Sequence, residues 1–164
     1  LDAFSSKRIN KKNMTQISKH LTLEELCHSE AAIKLGIVNV PNQLQTENLK
    51  ALALKVYEPV REHFGVEINI SSGYRIMNLN QALKGNITSQ HSRGEAIDID
   101  MKGDKVTNAQ VFHWIKDNLK YDQLIWEFGD NKNPNWIHVS YCKDNRQQTL
   151  RTSKIDGITK IQKF

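Results

Sequence analysis

Residues 96–101 read AIDIDM, and this alternation narrows the choice of fold more than any other stretch of the chain. As a strand it puts Ile97, Ile99 and Met101 on one face and Ala96, Asp98 and Asp100 on the other. The apolar face has to be core. The opposite face carries two carboxylates about 7 Å apart, which are costly to desolvate unless something positive compensates them. A divalent metal would serve. Two further runs, DQLIWEF (residues 122–128) and WIHVSY (136–141), are alternating or β-rich, and GDNKNPN between them is dense in turn formers. They are predicted to be the arms of an antiparallel hairpin.

Helices come first in the chain. LTLEELCHSEAAIKLG opens with Thr22 and Glu25 in capping-box spacing and ends at Gly36, which predicts one helix. Leu49, Leu52, Val56, Val60 and Phe64 form a stripe from about Thr46 to Gly65, a second helix that Pro59 should bend or divide. VEINISSGYR alternates as a half-buried strand breaking at Gly73, NLNQALKG suits one or two helical turns, and TNAQVFHWIKDNL reads as a full helix from Thr107 to Leu119. The expected class is α+β: a small antiparallel sheet flanked by helices.

At 164 residues the chain suits one core and is short for two. No apolar run approaches membrane-spanning length. The net charge of +5 is concentrated at the ends, +3 in residues 1–13 and +4 in residues 143–164, leaving the body at −2. That argues against a basic recognition face for specific nucleic-acid binding and for basic tails, either solvated or touching an anionic polymer. The expected organisation is an extension over 1–13, disordered or foreign to the natural chain, a domain over 14–142, and a basic C-terminal tail over 143–164. LDAFSSKRINKKN lacks a signal-peptide core, so synthesis in the cytoplasm is expected. Cys27 and Cys142 are far apart and outside any CxxC spacing, and are read as buried thiols rather than a disulfide. A monomer is expected.

The chemistry centres on SQHSRGEAIDID. His91 precedes Asp98 by seven residues, with Gly94 between them to let the backbone turn sharply. In WIHVSY the alternation puts Trp136, His138 and Ser140 on one face, so His138 also points away from the apolar side. His91, Asp98 and His138 would make a two-histidine, one-carboxylate set, and three protein ligands with one open position is the pattern of a catalytic zinc site. His20, His28 and His63 lack metal-ligand spacing to one another and are read as surface or capping residues, and His113 as structural. Trp126 and Trp114 are assigned to the core.

The full string is far more specific than its spacing. Ser89-Gln90-His91, Gly94, Ala96 and Asp98, followed about forty residues later by Trp136-Ile137-His138, closely resembles the zinc peptidases of the D-Ala-D-Ala carboxypeptidase type, the peptidase M15 family. SSGYR and DQLIWEF look like that family too, so the resemblance spans roughly residues 20–142. It implies a hedgehog/DD-peptidase-like fold, one zinc ion held by His91, Asp98 and His138, and peptidoglycan peptides as partners. Arg75 would bind a substrate carboxylate or steady the oxyanion. Ser89 would hydrogen-bond near the ligands, and Trp136 would wall the pocket. Asp100 either orients a ligand imidazole or is solvated at the sheet edge. Many relatives place an acidic general base three residues before the last histidine, where this chain has Asn135. Glu127, at the end of the first hairpin arm, is therefore the expected base, with Asp130 as the runner-up.

The reading is a zinc-dependent peptidase cleaving peptidoglycan stem or cross-link peptides next to a D-amino acid, as a carboxypeptidase or an endopeptidase, and it suits a phage-type lysin as well as a bacterial enzyme. The alternative is a zinc-binding domain without catalysis, in a structural or partner-recognition role as in hedgehog domains. Asn135 is what keeps that alternative open.

Overall fold

The computed structural model describes residues 14–102 and 105–164, so the expectations for residues 1–13 lie outside the described residues. A short ribbon of β1 (Gln16–Ser18) and β2 (Leu21–Thr22) leads into the helices. The capping box of Thr22 and Glu25 forms as the sequence predicts. The helix it starts, α1 (Leu23–Cys27), is nevertheless short. Ser29 takes an extended conformation and accepts from the Ala32 N–H, capping a separate helix, α2 (Glu30–Leu35). A serine that can cap locally competes with helix continuation, and one predicted helix becomes two. Gly36 ends the second in the left-handed conformation.

The next helix starts earlier than its apolar stripe, because Asn42 and Gln45 form a second capping box at the head of α3 (Gln43–Leu52). Pro59 has no N–H for the carbonyl four residues back. The strain is absorbed by a π-helical turn over Ala53–Tyr57, in which the Glu58 N–H reaches the Ala53 carbonyl, and the rod continues as α4 (Glu58–Phe64). After β3 (Ile70–Ser72) and α5 (Met77–Ala82) come β4 (Ala96–Ile99), α6 (Asn108–Asn118), β5 (Gln123–Glu127) and β6 (Trp136–Ser140). The last two form the expected antiparallel hairpin.

Residues 143–164 depart from the expected tail. They contain β7 (Gln148–Ile155) and β8 (Ile158–Lys163), which complete a six-stranded sheet in the order β3-β4-β6-β5-β7-β8. β7 lies parallel to β5, so the sheet is mixed rather than wholly antiparallel. The hairpin closes through Asp156 and Gly157, both at positive φ, as a tight two-residue turn requires. Leu150 and Thr152 of β7 are buried, whereas every residue of β8 is exposed. A net +3 of this segment's +4 therefore decorates an edge hairpin, where lysines discourage further strand pairing.

The fold is mixed α and β, with the sheet two-sided in function. Ile97 and Ile99 of β4, Ile137 and Val139 of β6, and Leu124 and Trp126 of β5 pack with Leu49, Leu52, Val56 and Val60 from α3 to α4 and with Val111, Phe112 and Ile115 of α6. All are essentially inaccessible to solvent. Because side chains alternate along a strand, burying this set commits the intervening residues of the same three strands to the opposite face. Asp98, His138 and Glu127 are among them.

Candidate metal centre and active-site cleft

Antiparallel register sets Asp98 of β4 directly opposite His138 of β6. His138 in turn lies opposite Ile125 of β5, and Trp136 opposite Glu127. His91 enters from above the sheet on a 3-10 turn (His91–Arg93), which ends at Gly94 with φ of 72°. Gly94 is required twice over. Its backbone is left-handed, and a Cβ there would run into the Gln45 carbonyl and against Leu49. Tight packing of this turn on α3 thus delivers the imidazole to Asp98.

His91 Nε2 lies 3.3 Å from His138 Nδ1, His138 Nδ1 lies 3.1 Å from Asp98 Oδ1, and His91 Nε2 lies 3.3 Å from the same oxygen. The outer partners settle the tautomers. His91 Nδ1 donates to the Gly73 carbonyl at 2.8 Å, and His138 Nε2 donates to Gln90 Oε1 at 3.2 Å. Both inner nitrogens therefore present lone pairs, to each other and to a carboxylate oxygen. A proton could serve one pair at a time, but a divalent cation serves all three. Zinc bonds of about 2.0–2.1 Å in tetrahedral geometry would separate ligand atoms by about 3.3–3.4 Å, close to the distances observed. The three residues form a group able to hold a metal ion.

Burial shapes the charges. His91 is 3% exposed, and desolvation pushes its imidazole below the usual range, against the pull of Asp98. A neutral ring is the form that ligates metal. Desolvation alone would raise Asp98; its carboxyl is held well below the usual range when an imidazole presents a proton to it, the place that a bound cation would take.

The cleft around this triangle has a volume of about 630 Å³ and is lined among others by Arg75, Ser89, Trp136 and Glu127. That is room for a few residues of a peptide. Arg75 follows Gly73 and Tyr74 at the end of β3, and its Nε is buried without a hydrogen-bond partner. Burial depresses the guanidinium and Asp98 partly restores it. Arg93 and Arg146 also line the cleft, but Arg93 is held by Glu95 and Arg146 by Asp122. Among the described residues, Arg75 is thus the cleft arginine without an ion-pair partner. Glu127 is half-buried, and desolvation raises its pKa while a hydrogen bond from Thr152 Oγ1, at 2.5 Å, opposes the rise. The same hydroxyl accepts the N–H of Phe128 at 3.1 Å. Phe128 sits at φ 54°, a strained conformation for an aromatic residue. One threonine therefore pins both the carboxylate and the turn after it.

A family model, Peptidase M15, matches residues 19–140. The chain belongs to the peptidase M15 family. A search of curated proteins found no match. The roles of individual residues in this M15 peptidase are argued from its own geometry.

Several sequence expectations find a definite place. Asp130 lies in the loop and binds the N–H groups of Lys132 and Asn133 through Oδ1, which shapes a turn rather than the cleft. Asp100 meets Asn108, not a ligand imidazole. Among the described residues the Ser89 hydroxyl bonds none of the three converging groups; its neighbour Gln90 does. His113 packs against Phe112, Trp126 and Phe164, and His63 stacks on Trp114 at 4.4 Å. Cys27 and Cys142 are free and half-buried, and burial raises the Cys27 thiol to about 11. Sequence reasoning missed Gln90, Asp122, Arg146 and Thr152. The last two lie in the segment read as a tail, although ASP-GLY at 156–157 between alternating runs signals a hairpin.

Proposed function

We propose that this M15 peptidase is a zinc enzyme that hydrolyses peptidoglycan stem or cross-link peptides beside a D-amino acid, on a hedgehog/DD-peptidase-like fold. The observation that carries the reading is the meeting of His91, His138 and Asp98, with two imidazole lone pairs and a carboxylate facing one centre, in a cleft that also holds a half-buried carboxylate and, among the described residues, a guanidinium whose Nε has no hydrogen-bond partner. His91, Asp98 and His138 would hold the ion. Zinc bound there supplies Lewis acidity and a bound water whose pKa falls to about 7.

The other roles belong to the chain. Glu127 takes the proton from the attacking water and passes it to the leaving amine. Its half-buried setting raises its pKa, a direction that suits a group required to hold and then release a proton near neutrality. Arg75 grips the substrate carboxylate or the developing oxyanion, and its lack of any other hydrogen-bond partner at Nε keeps it available. Trp136, tilted against Phe128 with centroids 5.3 Å apart, forms an apolar wall of the cleft beside Glu127. Ser89 also lines the cleft and would meet the peptide backbone. Asn135 is no obstacle to this assignment. Its side chain carries no acid, but its N–H donates to the Glu127 carbonyl and closes the hairpin that presents the base.

The test is metal analysis of the purified protein followed by mass spectrometry of peptidoglycan digests, with and without a chelator. Cleaved stem peptide or free D-alanine that disappears with the chelator is expected. Glu127→Gln should keep zinc and lose turnover, and a variant with unchanged turnover would remove Glu127 from its role. Zinc binding without cleavage of any wall peptide would favour the non-catalytic alternative.

A further inference from the structure

The two imidazoles are aligned by different devices. His91 leans on the Gly73 carbonyl, which can only accept, so its tautomer needs no further control. His138 leans on Gln90, and a side-chain amide has an accepting end and a donating end that can be exchanged by rotation. If the NH₂ group faced His138, it would claim a ring lone pair, and the imidazole proton would be driven to Nδ1, where it points at Asp98 and His91. Something has to fix the amide.

Asp122 does so. Gln90 Nε2 donates to Asp122 Oδ2 at 2.6 Å, and a carboxylate cannot face the amide oxygen without repulsion. Asp122 is itself gripped by Arg146, whose Nε meets Oδ1 at 2.7 Å and Nη2 meets Oδ2 at 2.6 Å, with the Arg146 backbone N–H on Oδ1 as well. Gln90 and Asp122 are both buried, at 8% and 3% exposure, so water does not compete for the bond between them, while Arg146 reaches in from an exposed position. Arg146, Asp122, Gln90 and His138 thus form one directional chain of hydrogen bonds ending at the metal-facing nitrogen.

We infer that Gln90 is a positioning residue that selects the metal-binding tautomer of His138, and that the Asp122–Arg146 pair is what orients Gln90. The inference rests on the proposal that His138 is a ligand. An amide at this position orients the ring while keeping the carboxylate one bond further away, so the negative charge of Asp122 is balanced by Arg146 rather than shared with the imidazole.

The experiment compares zinc affinity, by competition with a chromophoric chelator, and the visible spectrum of the cobalt-loaded protein, in the full chain. Gln90→Leu is expected to lose about 10–100-fold in zinc affinity and to change the cobalt spectrum. The double variant Gln90→Glu with Asp122→Asn moves the carboxylate one place: the new amide donates to the new carboxylate, which still accepts from His138 Nε2, and the amide oxygen keeps the Arg146 Nε bond while the Arg146 Nη2 bond is lost. It should recover most of the affinity that Gln90→Leu loses and move the cobalt spectrum back toward wild type, a rescue that loss of packing alone would not give. Gln90→Leu with wild-type affinity, or a double variant as weak as Gln90→Leu, overturns the inference. If the single variant does not fold, the double variant decides alone. Wild-type protein that binds no zinc, or His138→Ala that binds it as well as wild type, overturns the ligand assignment and this inference with it.

Discussion

Thr152 offers the sharpest test of how the cleft holds its carboxylate. Thr152→Val replaces a hydroxyl by a methyl group of nearly the same size, so no cavity opens and two hydrogen bonds are removed. Glu127 loses the donor at Oε2, and the Phe128 N–H loses its acceptor. Thr152 is 4% exposed, so water does not replace the hydroxyl readily. Leaving partly buried polar groups short of a partner costs about 2 kcal/mol, which for a chain of this size lowers Tm by about 4–8 °C. The effect on the rate has a definite sign. Burial raises the Glu127 pKa and the Thr152 bond opposes it; with the bond gone, burial acts with less opposition, and the carboxylate takes up its proton at higher pH. The acidic limb of kcat/KM should therefore move to higher pH in Thr152→Val and stay in place in Thr152→Ser. Calorimetry at neutral pH and a pH–rate profile on a wall-peptide substrate measure the two effects separately. A lower Tm with an unmoved acidic limb would mean that Glu127 is not the group whose ionisation governs turnover. An unchanged Tm would mean that the hydrogen bonds carry no net stability.

Gly94→Ala should destabilise the fold by about 2–5 kcal/mol, combining a left-handed conformation with a Cβ driven into the Gln45 carbonyl; thermal melts within about 0.5 kcal/mol of wild type would refute the packing argument. Metal-free protein should gain about 4 kcal/mol from zinc at a thousand times its Kd, or about 8–16 °C in Tm, and His138→Ala should abolish the gain. Arg146 holds the Asp122 carboxyl below its usual range. A group depressed in the folded state stabilises above its unfolded pKa of about 3.9 and loses that contribution as pH falls through the lower folded value. Arg146→Met should therefore be less stable than wild type at neutral pH by about 1–3 kcal/mol, with the difference shrinking below about pH 4; a constant offset across that range would show that the ion pair is not its source.

What could be read from the sequence follows the range over which the deciding interactions act. Alternation along AIDIDM and WIHVSY is set by each strand's own residues, so the face carrying Asp98 and His138 was visible before any coordinates. The register that sets those two opposite each other is not local, but a one-residue slip would bury Asp98 among isoleucines, so only one pairing survives. The break at Ser29 and the π turn before Pro59 were harder to see, because each is a contest between a local hydrogen bond and continuation of the helix. The parallel pairing of β5 with β7 left the least trace. It joins residues 25 apart with the whole of β6 between them and no turn motif to mark the pairing, and the basic composition of 143–164 points to solvent. Glu127 could be proposed from its place at the end of β5, whereas Thr152, on which it depends, lay in a stretch that composition had already set aside.

That dependence changes what counts as the site. The family match ends at residue 140, and the three converging side chains all lie inside it. Arg146 and Thr152 lie beyond it, on either side of the start of β7. Arg146 anchors Asp122 at the head of β5, and Thr152 anchors Glu127 at its foot. β5 thus leads from Asp122, the far end of the hydrogen-bond chain that orients His138, to the carboxylate proposed as the base, and residues 146–152 clamp it at each end. A β5 left as a sheet edge would expose Glu127 to water and let burial, the main cause of its raised pKa, fade. The C-terminal hairpin is therefore more than an ornament on the region that the family match covers: by covering β5 it supplies the low-polarity setting that the proposed proton transfer requires.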